Sequence, residues 1–509
     1  MNKRIDRPVK PVNVLIVAVS VNVFLGAFIL LFPSGEMKTN NKLALKFVSM
    51  EELSHPKKKV TKDILPIIKS VKTIDTSVAY VAPKPRQIVI DYKYEPNDTL
   101  RIQYQDARFK ALEDFFTALL KTENTGELLR IAHYGDSQIE GDRMSDYLRN
   151  RFQLTFGGCG PGIVVPIDIS NSRISIIQNQ SRHWVKYAVY GKSKTIQGSD
   201  YGIGASNYRY SNVLYKMEYR KDSTGTDSVK KQHFTTYIDD SPPSLNFKKS
   251  SLSFQTLRRF TKVSLLYGQH KERTVVKHKF DQQSAYDTLE GTNKFNMRSW
   301  HVDRNLGMAD FSFVSKTGPD IFGVAFDCDS GVAVDNFAMR GSSGTEFVKM
   351  NPELLNSQFN ALNTRLLILQ YGVNVVPYAD SDADCDYYFN IFYKQLKMLK
   401  SLNPDRSILV IGVSDMSTRK GGQYVSFPYV SKIRDAQKKA AFMAGCAFWD
   451  LYEAMGGENA MPSWVMANPS LANKDFIHFN MKGSNIIAEM IFNSLMTDYQ
   501  DFKKSKINP

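Results

Sequence analysis

The sequence predicts an α/β protein built on a parallel sheet, with a β-rich domain set into it and an apolar helix ahead of it. Three observations carry this prediction. The C-terminal third alternates short apolar runs with amphipathic ones; residues 163–325 break into short alternating segments divided by Gly, Ser, Asn and Asp; and residues 11–35 contain no charge. At 509 residues and 42% hydrophobic composition, the chain has apolar material for more than one folded region.

The apolar helix comes first. The run "PVNVLIVAVSVNVFLGAFILLFPSG" is long enough to cross a hydrocarbon core of about 30 Å. Lys3, Arg4, Arg7 and Lys10 precede it against one acid, Asp6, which keeps the N-terminus cytoplasmic and exports the rest. No A-x-A pattern closes the run, so residues 1–35 are expected to form a cytoplasmic tip and a retained single-pass transmembrane anchor. The expected location is the inner (cytoplasmic) membrane, with the folded part on the periplasmic side. Residues 36–104 mix Lys clusters ("HPKKKVTK"), Pro and short apolar pieces without a sustained period, and read as a stalk. The formal charge of +15 is spread along the chain with no nucleic-acid-binding signature, which argues against a nucleic-acid partner. Cys159, Cys328, Cys385 and Cys446 lack metal-ligand spacing; an oxidising compartment permits one or two disulfides, and Cys446 in "AAFMAGCAFW" reads as a buried thiol.

The α/β pattern starts near Ala107. Leu112, Phe115, Phe116, Leu119 and Leu120 recur at helical spacing, Gly126 ends that helix, and "LLRIAHY" follows as a buried strand. After "GDS" a helical pattern resumes through Met144, Tyr147, Leu148 and Phe152 and stops at Gly157 and Gly158. Ser137 therefore stands between the C-terminal end of a strand and a helix, the edge where open α/β sheets collect ligands. Further on, "TRLLILQYG", "RSILVIGVSD" and "CAFWDLY" read as strands, while "YYFNIFYKQLKMLKSL", "VSKIRDAQKKAAFMAG" and a segment from about Asn480 read as helices. Within residues 163–325, "RISIIQ", "HWVKYAVYG", "NVLYKMEYR" and "KVSLLYG" read as strands. The aromatics there suit either sugar stacking or a β core, and Trp184 and Trp300 are the candidate sugar contacts.

A serine hydroxyl needs a base, the base needs an orienting acceptor, and a tetrahedral oxyanion needs preorganised donors. In "KDFIHFNMKG", Asp475 precedes His478 by three residues, so the carboxylate can hold one ring nitrogen while the other faces a substrate. "GDS" with Ser137, "MRGSSG", "LQYGVNVV" and "DFIH" occur in the order of the blocks of the SGNH (GDSL-type) hydrolases, and the chain resembles that family over residues 107–162 and 326–499. The resemblance implies a flavodoxin-like three-layer fold split into residues 105–162 and 326–509 around the insertion. It implies Ser137 as nucleophile, His478 as general base and acid, and Asp475 as the residue that orients it. The N–H groups of Ser137 and Gly341 and the Asn374 amide would form the oxyanion hole. One departure is Val375, where the family pattern often has an acid after the asparagine. Gly344 competes with Gly341 for the loop position, and His133 reads as a packing residue rather than a metal ligand.

An export anchor and a β-rich insertion between the serine and glycine blocks resemble the membrane-anchored peptidoglycan O-acetylesterases. The implied activity is removal of acetyl esters from peptidoglycan or another envelope polysaccharide through an acetyl-serine, without metal or organic cofactor. Two alternatives stand beside it: an O-acetyltransferase working with a membrane-bound O-acyltransferase partner, and a tethered glycan-binding protein without catalysis.

Overall fold

The structure is a computed structural model that describes residues 11–34, 36–40, 43–46, 49–51, 61–71, 100–106, 109–168, 170, 172–221, 230–302, 306–315 and 318–507. It divides into two compact units, Met1–Val60 and Thr61–Pro509.

The first unit holds helix α1 (Pro11–Leu31) and a small antiparallel hairpin, β1 (Glu36–Asn40) with β2 (Leu43–Lys46). The 21 residues of α1 carry no charge. Leu15, Ile16, Phe24 and Leu30 on it are exposed. Among the described residues, no helix is long and apolar enough to cross a membrane.

In the second unit, helix α2 (Leu65–Ser70) and residues 100–106 belong to the folded body, which corrects the expectation of a stalk as far as residue 104. Ile64, Leu100 and Ile102 are buried in one core with Trp449 and Trp464. The Lys62 N–H donates to Ser463 Oγ at 2.6 Å, and Gln103 bridges Phe448. Tertiary contacts, not a local period, order these pieces, so their sequence gives no pattern to read. The rest of the expected stalk between them, residues 72–99, lies outside the described residues.

The centre is a five-stranded sheet. Its strands are β3 (Leu129–Gly135), β17 (Val332–Ala338), β18 (Thr364–Gln370), β19 (Ser407–Ile411) and β22 (Ala447–Trp449), numbered in chain order across the whole protein. They lie in the order β17-β3-β18-β19-β22, and every pairing is parallel. Alternate residues feed opposite cores: Ile131 and Ile368 face one, Tyr134 and Leu369 the other. Helices α3 (Glu113–Thr125), α4 (Ser145–Phe156) and α10 (Met481–Ile507) cover the first face. Helices α5 (Pro352–Ala361), α6 (Asp382–Leu402) and α7 (Val430–Met443) cover the second, giving the expected three layers.

The chain leaves this sheet at β4 (Gly162–Val164) and returns through β16 (Asp320–Asp327). Between them, two antiparallel sheets enclose a core of Trp184, Tyr208, Phe247, Phe311 and Phe326. The first contains β6 (Trp184–Ala188), β7 (Ser206–Tyr210), β11 (Lys262–Gly268) and β14 (Asn296–His301), with β4 and β16. The second contains β5 (Ile176–Gln180), β10 (Ser244–Lys249), β12 (Thr274–Phe280), β13 (Gln283–Leu289) and β15 (Met308–Phe313). A hairpin, β8 (Val213–Lys221) with β9 (Lys230–Ile238), pairs only with itself among the described residues. A disulfide joins Cys159 to Cys328 beside the two crossings, while Cys385 and Cys446 are buried free thiols.

Candidate active site

Strand register brings the site together. Gly135, the last residue of β3, pairs with Ala338 of β17 and Gln370 of β18, so three loops emerge level at one sheet edge. The Met339 N–H donates to the Gly135 carbonyl at 2.7 Å and the Asp136 N–H to the Gln370 carbonyl at 3.2 Å, tying the loops at their roots. A Cβ on Gly135 would lie 2.8 Å from the Gln370 carbonyl oxygen, which explains a glycine immediately before the Asp-Ser pair.

Ser137 opens a short 3-10 turn capped by the buried Asp136, whose carboxylate accepts the Gln138 N–H at 3.0 Å. Ser137 is half-buried, and its Oγ is 2.7 Å from His478 Nε2. His478 Nδ1 is 2.8 Å from Asp475 Oδ2, while Asp475 Oδ1 accepts the N–H groups of Ile477 and His478, both at 3.0 Å. Partial burial pushes the Asp475 carboxyl up, but the hydrogen bonds from His478 and the two amides outweigh it and hold the group at about 2. The carboxylate therefore favours a proton on Nδ1, which leaves Nε2 to accept the serine proton.

Gly341 is exposed at φ +81° with open space where a Cβ would stand; Gly344 is buried, and a Cβ there would meet the Tyr371 ring at 2.6 Å. Gly341 is thus the glycine presented at the sheet edge, and Gly344 serves packing. The half-buried Asn374 donates from Nδ2 to the Ser342 carbonyl at 2.9 Å, fixing its amide beside Gly341. The loop around Val375 is supported by its backbone: the Val375 and Val376 N–H groups donate to the Gly372 carbonyl at 2.8 and 3.1 Å.

The two tryptophans are not in this site. Trp184 is 7% exposed, packs edge-on against Tyr210 and Phe313, and donates from its indole to the Ser244 carbonyl. Trp300 is half-buried among His278, Phe280 and Phe311, with its indole N–H on Asp287. Both rings pack against the interior of the sandwich, and the burial of Trp184 there corrects its assignment as a sugar contact. His133 is buried between Gln370 and Ser145, and burial lowers its pKa to about 4. Among the described residues no group of His, Cys, Asp and Glu is placed to hold a metal ion.

The sequence reading missed residues that frame the histidine. Phe476, between Asp475 and His478, has φ +60°, and its ring stacks on Tyr424 at 3.5 Å. Tyr424 lies in a hairpin, β20 (Ser417–Lys420) with β21 (Gln423–Ser426), and the Ser417 N–H donates to the Phe476 carbonyl at 2.9 Å. A bulky residue in that backbone region persists only where its surroundings hold it.

No protein-family model matches the chain, and none of the curated proteins does. Among solved structures, a peptidoglycan O-acetylesterase matches with a TM-score of 0.59 at 19% identity, over 79% of this chain and 99% of its own. The chain shares the fold of that structure. An acetyl xylan esterase (15% identity, 32% of this chain and 81% of its own, TM-score 0.25) and an acetyl esterase (16%, 33% and 72%, TM-score 0.24) match smaller parts. In this chain the sandwich occupies the sequence between the serine loop and the glycine loop.

Proposed function

We propose that the protein is a serine esterase that removes O-acetyl groups from a cell-envelope glycan, most specifically peptidoglycan, at the outer side of the cytoplasmic membrane. The observation that carries the chemistry is the line from Ser137 Oγ through His478 to Asp475, set at the edge of a parallel sheet. In this mechanism His478 Nε2 takes the serine proton as Oγ attacks the acetyl carbonyl. The oxyanion meets the N–H groups of Ser137 and Gly341 and the second N–H of the Asn374 amide. The sugar oxygen leaves with the proton held on His478, and a water activated by the same nitrogen frees acetate from acetyl-Ser137. The likeness of fold to a peptidoglycan O-acetylesterase over nearly its whole length supports the substrate class. The uncharged run of residues 11–35 in the sequence supports a membrane tether, and the Cys159–Cys328 disulfide supports an oxidising compartment.

The test is acetate release from O-acetylated peptidoglycan by the full chain, beside Ser137→Ala and His478→Ala. Release that falls by about 10⁴–10⁶-fold in kcat/KM in both variants is the expected result. Hydrolysis of p-nitrophenyl acetate without release from peptidoglycan would move the assignment to another acyl ester, and acetate diverted to an added chitooligosaccharide would make the protein a transferase. The tether predicts a chain that stays with membranes through alkaline carbonate extraction; release into the wash would refute it.

A further inference from the structure

The loop that carries Ser137 grips the peptide groups on both sides of His478. Gln138, buried next to the nucleophile, donates from Nε2 to the Ile477 carbonyl at 2.8 Å and to Ser414 Oγ at 3.2 Å. Its Oε1 accepts the Phe479 N–H at 3.4 Å. Arg143 closes the same turn: it donates from Nη2 to the carbonyl of Ser137 itself, from Nη1 to the Phe479 carbonyl at 3.3 Å, and from Nε to the Glu140 carbonyl at 2.8 Å. A planar guanidinium thereby joins the nucleophile's main chain, the turn behind it and the histidine loop.

This answers a geometric problem. Ser137 and His478 are 341 positions apart, so no local chain constraint sets their spacing. Asp475 orients the imidazole from within the histidine's own turn, and that turn includes Phe476 at φ +60°. Neither feature fixes how far Nε2 stands from Ser137. Gln138 and Arg143 do bridge that gap; all of Arg143's hydrogen-bond acceptors named above are carbonyls, so its directional fork defines the contact, while Glu140, Asp475 and Asp136 attract its charge without accepting those bonds.

We propose that Gln138 and Arg143 are positioning residues that set the Ser137 Oγ to His478 Nε2 separation by holding Ile477 and Phe479, a role that rests on the esterase reading. Neither touches the reacting atoms. A displacement of about 1 Å in such a pair costs on the order of 100-fold in rate while leaving substrate binding alone.

The experiment compares the full chain with Arg143→Ala, Arg143→Lys and Gln138→Leu on p-nitrophenyl acetate, and measures the rate at which an organophosphonate labels Ser137. In folded protein, kcat and the labelling rate fall by about 10–100-fold with KM within about twofold. Added millimolar guanidinium ion restores part of the Arg143→Ala rate and none of the Gln138→Leu rate. Arg143→Lys recovers only a fraction, because a point cation cannot span two carbonyls. A merely structural role would lower yield or Tm and leave kcat of the folded fraction intact, and that result overturns the proposal. Should Arg143→Ala not fold, Gln138→Leu decides by the same kcat and labelling criteria. A wild-type chain inert to both ester and phosphonate overturns the esterase reading and this role with it; an active wild type with unchanged variants overturns this role alone.

Discussion

Asp475 is held in its charged form by three donors, the His478 ring and the amides of Ile477 and His478. Its pKa of about 2 lies below the ordinary value for an aspartate, so the stability it contributes is fully present above about pH 4 and is lost as pH falls through about 2. Across neutral and mildly acidic pH it is therefore a fixed charge rather than a titrating one. Asp475→Asn removes that charge and presents an amide to Nδ1, which can favour the ring tautomer with its proton on the wrong nitrogen. The expected loss is about 10²–10⁴-fold in kcat at every pH from about 5 to about 9, with the hydrogen bonds to the two amides kept through Oδ1. A pH–rate profile of the variant on p-nitrophenyl acetate checks it; a near-wild-type rate at any pH in that range would remove Asp475 from the orienting role.

Helix α4 shows what happens when an element's surroundings are hidden from its sequence. Ser145 through Gln153 are all buried, although Asp146, Arg149, Asn150 and Arg151 lie among them. Arg149 forks onto Asp142 at 2.9 and 3.1 Å, Arg151 pairs with Glu489 of α10, and Ser253 and Thr256 from the insertion donate to Asp146 and Asn150. Burial first, and the neighbouring Asp142 second, push the Asp146 carboxyl up to about 7. Between the ordinary aspartate value and about pH 7 the folded state holds a proton that the unfolded state has lost, so this group makes stability fall as pH rises through that window. Asp146→Asn removes the titration, and thermal melts should show the variant gaining on the wild type between about pH 5 and about pH 8. Parallel shifts at both pH values would contradict it. The same hidden surroundings separate what the sequence disclosed from what it did not. Strands β3, β18 and β19 were legible because each holds a run of apolar residues that reaches both faces of the sheet. β17 was not, because Asp335 interrupts it, and the buried Arg130 of β3 at 2.6 Å together with the Ile163 N–H at 2.8 Å makes that acid tolerable in a strand. Ser137, Asp475, His478 and the glycine and asparagine loops were legible as ordered motifs. Gln138 and Arg143 were not, since their acceptors are main-chain carbonyls on a distant segment, and a charged residue six positions after the serine was the one available hint. Trp184 failed for the opposite reason: composition shows that an aromatic lies in a strand but not which face of the sheet it takes.

In the second unit as a whole, the disulfide lies at the opposite end of β17 from the catalytic edge. Cys328 precedes β17 at the strand's N-terminal end, whereas Gly341 follows its C-terminal end; seven residues at about 3.3 Å each put roughly 23 Å of strand between the disulfide's side of the sheet and the site. The Cys159–Cys328 bond closes a loop over a sequence separation of 169. Loop-closure arguments give such a cross-link about 5 kcal/mol, of which about 2–4 kcal/mol is commonly realised. The site's own spacing depends instead on β3–β17–β18 register and on the Gln138 and Arg143 contacts, none of which involves the disulfide. Stability and activity should therefore separate. Cys159→Ser with Cys328→Ser, or wild type held in reductant, should lose several degrees of Tm while the folded protein at 25 °C keeps kcat on p-nitrophenyl acetate within about twofold. If activity instead declines in step with thiol release, before any loss of secondary structure, the insertion is holding the catalytic loops in place and the sandwich must be counted as part of the active site.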